Sequence, residues 1–225
     1  MNHWMFVHGA VSSRLTWTRQ AGLFAHQTRV DLPDLGGDYG TLIDRLARHC
    51  LQQTVPGTVV VGHSMGGAIA LSMARLAPER LAGLVLVGTG PTLPVSPAVL
   101  DGLVQDAPAT LSRIARWSLA RSADPALLRN SLALLQGADA VRAIREFKAC
   151  SVFDATPWLA AVELPVTIIR GADDRMVPAA VTERFRDFWP EIPIIAVPEA
   201  GHLMMLEQPD RFNRILQDIA DGWPS

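Results

Sequence analysis

The sequence predicts an α/β fold: a mostly parallel sheet of about six strands with helices on both faces, interrupted once by a helical insertion. Three observations predict it. Short apolar, β-branched runs alternate with helical stretches. One buried strand, Thr58-Val59-Val60-Val61, turns abruptly into a helix of small residues. From Pro91 to about Val162 the strand pattern stops.

In chain order, Trp4 to Val7 is a first apolar strand running into the loop His8-Gly9-Ala10. Leu15 to Ala25 reads as a helix and Thr28 to Asp31 as a short strand. The run Leu32-Pro33-Asp34-Leu35-Gly36-Gly37 is loop. Thr41 with Asp44 three residues on has the form of a capping box, and Leu42, Ile43, Leu46, Ala47 and Cys50 then share one helical face. After the strand from Thr58, a helix runs to Pro78, and Leu84 to Gly88 is the fourth strand. Residues 91–162 are Ala/Leu/Arg-rich helical stretches broken at Pro94, Pro97, Pro108, Pro125, Gly137 and Pro157, which predicts an inserted helical cap. Val166 to Arg170 resumes the sheet, Thr182 to Trp189 is a helix, and Ile192 to Val197 is the last strand. Pro209 opens a final helix with Phe212, Ile215, Leu216 and Ile219 inward and Gly222 at its end. The expected division is a core of residues 1–90 and 163–225 and a cap of residues 91–162.

With 225 residues, 49% of them hydrophobic, the chain buries one sizeable core. Twenty basic and 22 acidic side chains leave a net charge of −2 and no basic block, which argues against nucleic acid and an anionic membrane as partners. Cys50 and Cys150 lie in helical patterns with no CxxC, the usage of a reducing compartment, and no signal-like or membrane-spanning run is present. A cytoplasmic location is expected. No His/Asp/Glu pair stands at ligand spacing, so neither metal nor cofactor is expected.

The chemistry centres on Gly62-His63-Ser64-Met65-Gly66-Gly67. A serine between a strand and a helix must hold a strained backbone for its hydroxyl to project, and glycine two positions either side relieves the crowding. The residue after it, Met65, presents a free backbone N–H at a helix N-terminus, and Ala10 in the first loop can offer a second to an oxyanion. A serine hydroxyl needs a base, and the base needs a carboxylate. In an open α/β sheet such groups collect after the strands, where Asp173-Asp174 and His202 stand. Spacing leaves Asp173 and Asp174 even.

These motifs together, with Val177-Pro178 after the aspartates and Gly201-His202 before the last helix, resemble the three-layer α/β-hydrolase fold over nearly the whole length. The resemblance implies Ser64 as nucleophile, His202 as base and Asp174 as its acid, with Met65 and Ala10 as oxyanion donors. It implies that His8 and His63 orient loops; Asp173 is then left to pair with Arg170 or Arg175 or to brace the loop. One departure stands out: about seven residues precede His8, too few for the first two strands of the family. Thr28–Asp31 then forms a sheet edge that a second copy of the chain could cover, as a homodimer.

The implied activity is that of a serine hydrolase cleaving a carboxylic ester or thioester through an acyl-enzyme. The elbow, the compact cap and the Asp-Asp-Arg-Met-Val-Pro loop are most similar to bacterial carboxylesterases, including those acting on pimeloyl-carrier-protein methyl ester. An acyl carrier protein or a coenzyme A thioester is therefore a candidate partner beside a small-molecule ester. Hydrolysis of a C–C bond in a ring-fission product, or ligand binding by a receptor-like module that keeps the triad, are the alternatives. Trp117, Leu132, Phe147, Phe153 and Trp158 of the cap are the expected pocket residues. The cap arginines read as solvated helix faces.

Overall fold

The computed structural model of the chain describes residues 2–136 and 138–223; the predicted break at Gly137 lies outside them. Six strands form one sheet, β1 (His3–Val7), β2 (Gln27–Val30), β3 (Thr58–His63), β4 (Leu81–Val87), β5 (Val166–Gly171) and β6 (Ile194–Val197). Their order is β2-β1-β3-β4-β5-β6, and every pairing is parallel. This is the expected α/β architecture, with β2 and β6 at its edges.

Successive side chains of a strand point to opposite faces, and the two faces are buried against different layers. Met5, Val7, Val60, Leu84, Leu86 and Ile168 pack on one side with helices α1 (Leu42–Leu51) and α2 (Met65–Leu76). Trp4, Phe6, Val59, Val61, Val85, Val87 and Ile169 pack on the other. There they meet Trp17, the short helix α8 (Met204–Glu207) and α9 (Pro209–Gly222), which contributes Phe212, Leu216 and Ile219. Burial on both faces is why these strands read as continuous apolar runs rather than alternating ones.

Two local expectations change. The stretch from Leu15 is a 3₁₀ helix, Arg14–Gln20, interrupted at Trp17, and not a helix to Ala25. Ser13 caps it, the Thr18 hydroxyl turns back to the Leu15 carbonyl, and Gly22 at φ 78° turns the chain away. Phe24 beyond it stacks on Trp4 with ring centroids 4.0 Å apart. Nor does the capping box at Thr41 form. A 3₁₀ turn, Tyr39–Thr41, leads into α1, so the Thr41 hydroxyl donates back to the Asp38 carbonyl instead of accepting from the helix. The predicted helix 182–189 divides likewise into α7 (Ala179–Glu183) and a 3₁₀ turn, Arg184–Asp187.

Between β4 and β5 the chain forms α3 (Pro97–Gln105), α4 (Ala107–Trp117), α5 (Pro125–Gln136) and α6 (Ala140–Val152). Val99, Leu103, Leu111, Ile114, Ala143 and Phe147 bind three of these into a cluster of their own. The excursion leaves and returns at one place, where Thr92 bridges Asp154 and the Ala155 N–H donates to the Pro91 carbonyl at 2.9 Å. Ala149 and Cys150 fix α6 to the main core. No described helix is long and apolar enough to cross a membrane.

Candidate active site

Strand β3 is buried along its length and delivers Ser64 at φ 56°, ψ −118°. A non-glycine residue there is strained, and the surroundings hold it. The Ser64 N–H donates to the Val87 carbonyl at 2.9 Å, and the Ser64 carbonyl accepts from Gly67 N–H at 2.8 Å and Thr89 Oγ1 at 3.0 Å. The flanking glycines follow from the same crowding. A Cβ at Gly62 would overlap the Gly66 carbonyl, and one at Gly66 would overlap the carbonyls of Val7 and His8. With its backbone saturated, Ser64 presents a half-buried hydroxyl that makes no hydrogen bond with any described residue.

Asp174 follows β5 and His202 follows β6. His202 Nδ1 lies 2.8 Å from Asp174 Oδ2, with side chains only 6% and 1% exposed. The other carboxylate oxygen accepts the N–H groups of Met176 at 2.8 Å and Val177 at 2.9 Å. Asp174 therefore points one oxygen at the imidazole and anchors its own loop with the other. With Nδ1–H donated to the carboxylate, Nε2 is the nitrogen with a lone pair. The alternatives that spacing left open are thus separated: Asp174, not Asp173, meets the histidine. Asp173 is exposed and forms no ion pair among the described residues. Arg175, one of the two cationic partners expected for it, instead donates to the Arg116 and Leu119 carbonyls at 2.6 and 2.7 Å, while the Asp173 backbone N–H donates to the Ala200 carbonyl at 2.9 Å and ties its loop to the one bearing His202.

Two further histidines brace this geometry. His63 Nε2–H donates to the His202 carbonyl at 3.0 Å, and burial, with His202 beside it, holds the His63 pKa well below the usual value. His8 donates from Nδ1 to the Gly9 carbonyl at 2.8 Å, while its Nε2 accepts the Leu32 N–H at 3.1 Å. Burial pushes its pKa down to about 4. Both are neutral at ordinary pH and serve as fixed hydrogen-bonding groups.

Ser64, His202 and Ala10 line a cavity of about 880 Å³. The Ala10 N–H, and the Met65 N–H at the start of α2, have no acceptor among the described residues. Of the expected pocket residues, Trp117 and Phe147 line the cavity. Leu132, Phe153 and Trp158 do not: Phe153 and Trp158 pack on the main core, with Arg75 over the Trp158 ring. On α5 the cavity face is carried by Ser131, Leu134 and Leu135, a helical phase that excludes Leu132.

Glu207 was not singled out by the sequence reading. Its Oε1 accepts the Gly201 N–H at 2.9 Å and its Oε2 the Ala120 N–H at 2.8 Å, tying the His202 loop to the segment after α4. Burial raises its pKa. The available signal was an acidic residue closing the apolar run Leu203-Met204-Met205-Leu206.

The chain resembles known proteins over nearly its full length. It is 26% identical over 244 residues to the pimeloyl-[acyl-carrier protein] methyl ester esterase of Aromatoleum aromaticum, covering 97% of this chain and 98% of that one. The enzyme of the same name from Klebsiella pneumoniae is 26% identical over 231 residues, covering 93% and 90%. Among solved structures, a thermophilic esterase superposes with a TM-score of 0.84 at 25% identity, covering 98% and 90%. The model of the alpha/beta hydrolase family matches residues 5–215, and with this fold beneath it the chain belongs to that family.

Proposed function

We propose that the protein is a carboxylic ester hydrolase, thioesters included, working through an acyl-enzyme on Ser64. The observation that carries this reading is that the strained Ser64 and the Asp174-bonded His202 line one cavity. His202 Nε2 takes the proton of the Ser64 hydroxyl as Oγ attacks the ester carbonyl, and Asp174 stabilises the imidazolium. The N–H groups of Met65 and Ala10 hold the tetrahedral oxyanion. His202 then gives its proton to the departing alcohol or thiol, leaving the acyl group on Ser64. A water deprotonated by the same nitrogen attacks the acyl carbon, and collapse frees the acid and returns the proton to Oγ.

In this reading residues 91–162 are a cap over a core of residues 1–90 and 163–225, and the narrow neck at Thr92 and Asp154 supports the division. The cavity falls within the size range of small-molecule pockets, roughly 300–1,000 Å³, and its mainly apolar wall of Val99, Ile114, Trp117, Leu135 and Phe147 suits an acyl chain. The relatives from Aromatoleum aromaticum and Klebsiella pneumoniae are named as esterases of a pimeloyl-[acyl-carrier protein] methyl ester. The exposed cap arginines Arg116, Arg121 and Arg129, which form no ion pair among the described residues, make such an acidic carrier a reasonable bearer of the substrate here too.

Ser64→Ala tests the assignment. Turnover of a small aryl ester should fall on the order of 10⁶-fold, as for a strongly coupled triad, and a variant keeping most of the parent rate refutes it. Comparing the methyl ester of a free dicarboxylic acid with the same ester on a carrier protein tests the bearer; equal kcat/KM for the two removes the carrier from the proposal.

A further inference from the structure

Glu146 on α6 is 3% exposed, and no step of the proposed reaction uses it. Its Oε1 accepts from Arg142 Nε at 2.7 Å, one turn away on the same helix. Its Oε2 reaches across the molecule and accepts the Val11 N–H at 2.6 Å, a contact spanning 135 residues of sequence. Val11 directly follows Ala10 and has φ 52°, the left-handed region that a β-branched residue avoids. A charged acceptor on its N–H opposes relaxation of that strain.

The path closes on itself. Arg142 Nη2 donates to the Leu32 carbonyl at 3.2 Å, the Leu32 N–H donates to His8 Nε2 at 3.1 Å, and His8 Nδ1 donates to the Gly9 carbonyl at 2.8 Å. The Gly9–Ala10 peptide sits inside this ring, gripped from its carbonyl end by His8 and from the next residue by Glu146. A peptide unit is planar and trans, so a fixed Gly9 carbonyl together with a fixed Val11 fixes where the Ala10 N–H points.

We infer that Glu146 is a positioning residue which, from the helical excursion, holds the Val11 N–H and so aims the Ala10 N–H at the oxyanion. This deepens the proposed function and rests on its reading of Ala10. It makes half of the oxyanion site depend on the seating of α6. Since α6 is fixed to the main core through Ala149 and Cys150, that seating is part of the fold.

Three variants separate reach from charge. Glu146→Gln keeps a carbonyl oxygen at the same reach, Glu146→Asp keeps the charge but withdraws it by one methylene, and Glu146→Leu removes both. Each is measured, per active site titrated, for kcat and KM on a short aryl ester. Affinity is compared for an aryl trifluoromethyl ketone, which forms the tetrahedral adduct, and for the matching methyl ketone, which does not.

Deleting an oxyanion donor costs 10²–10³ in rate, so displacing one should lower kcat about tenfold or more in the Asp and Leu variants. Their affinity for the trifluoromethyl ketone should weaken by a similar factor, with KM and the methyl ketone unchanged, and the Gln variant, whose amide oxygen still reaches the Val11 N–H although the Arg142 contact is lost, should keep more of the parental kcat and trifluoromethyl ketone affinity than either. Folded Asp and Leu variants with parental kcat and trifluoromethyl ketone affinity would overturn the inference. So would equal weakening of both ketones, which would place the defect in the cavity wall. Ser64→Ala run alongside keeps the two claims apart: an active Ser64→Ala sinks the acyl-enzyme reading, whereas an inactive one beside unimpaired Glu146 variants sinks only the positioning role.

Discussion

The histidine that precedes the elbow serine holds the histidine that lines the same cavity: His63 Nε2–H donates to the His202 backbone carbonyl at 3.0 Å, and the two rings lie 4.5 Å apart. The β3–Ser64 turn and the loop after β6 are thereby joined directly, across 139 residues of sequence. His63→Phe keeps the ring and removes the donor. One neutral hydrogen bond is worth about 1 kcal/mol net, so kcat is expected to fall several-fold to tenfold with KM for a short ester little changed. Steady-state kinetics on the folded variant check this.

Acid should unfold the protein sooner than its carboxylates alone would. His8 and His63 have pKa values lowered by burial, to about 4 for His8 and well below the usual 6.5 for His63. Between pH 6.5 and about 4 the unfolded chain binds protons at these positions that the folded chain does not, so stability present above pH 6.5 is lost as the pH falls through that window. His8 alone removes about 3 kcal/mol. Glu207 acts in the opposite sense: its raised pKa makes the folded state bind that proton first, which offsets part of the loss. Denaturant titrations at pH 7 and 4.5 should show the fall, and His8→Asn should reduce it.

Glu207→Gln leaves one carbonyl oxygen where two N–H groups, those of Gly201 and Ala120, now find acceptors. One buried donor goes unpaired, at a cost of about 1–3 kcal/mol. The expected result is a lower melting temperature together with a several-fold lower kcat, because the loop that loosens carries His202. A variant that melts lower but keeps the parental kcat would restrict Glu207 to stability.

Gly66→Ala places a methyl group against the Val7 and His8 carbonyls, which are backbone and cannot swing aside. A loss of about 3 kcal/mol, the upper end for overpacking, and near-complete loss of esterase activity are expected from thermal melts and ester assays.

Cavity shape predicts chain-length preference. Trp117 lines the cavity, is 40% exposed, and adds little to the core of the excursion. Trp117→Ala should cost long acyl esters about 1–3 kcal/mol in kcat/KM relative to short ones, with little change in stability. Trp158→Ala removes a side chain packed on the main core, so it should lower stability and leave the chain-length profile unaltered.

How far the residues alone speak can be judged element by element. The parallel sheet was legible because strands buried on both faces are apolar along most of their length, as in Val59-Val60-Val61 of β3, Leu84-Val85-Leu86-Val87 of β4 and Ile168-Ile169 of β5. The elbow was legible because its crowding admits only glycine at Gly62 and Gly66, and a steric requirement of that kind leaves a mark at fixed spacing. The 3₁₀ turns at Arg14–Gln20 and Tyr39–Thr41 were read as regular helix and cap, since which carbonyl a threonine hydroxyl finds is settled by the path of the chain around it.

By itself, then, the sequence determined the layers, the strand-to-helix turn bearing Ser64, and the kinds of side chain available after β5 and β6. Only the tertiary structure decided between Asp173 and Asp174, turned Leu132, Phe153 and Trp158 away from the cavity, and brought Glu207 to the Ala120 N–H and Glu146 to the Val11 N–H, each far away in sequence. The physical reason is range. Period and spacing record forces between near neighbours, whereas a carboxylate's partner is whichever unsatisfied donor the finished fold brings within three ångströms, and that depends on every intervening residue at once.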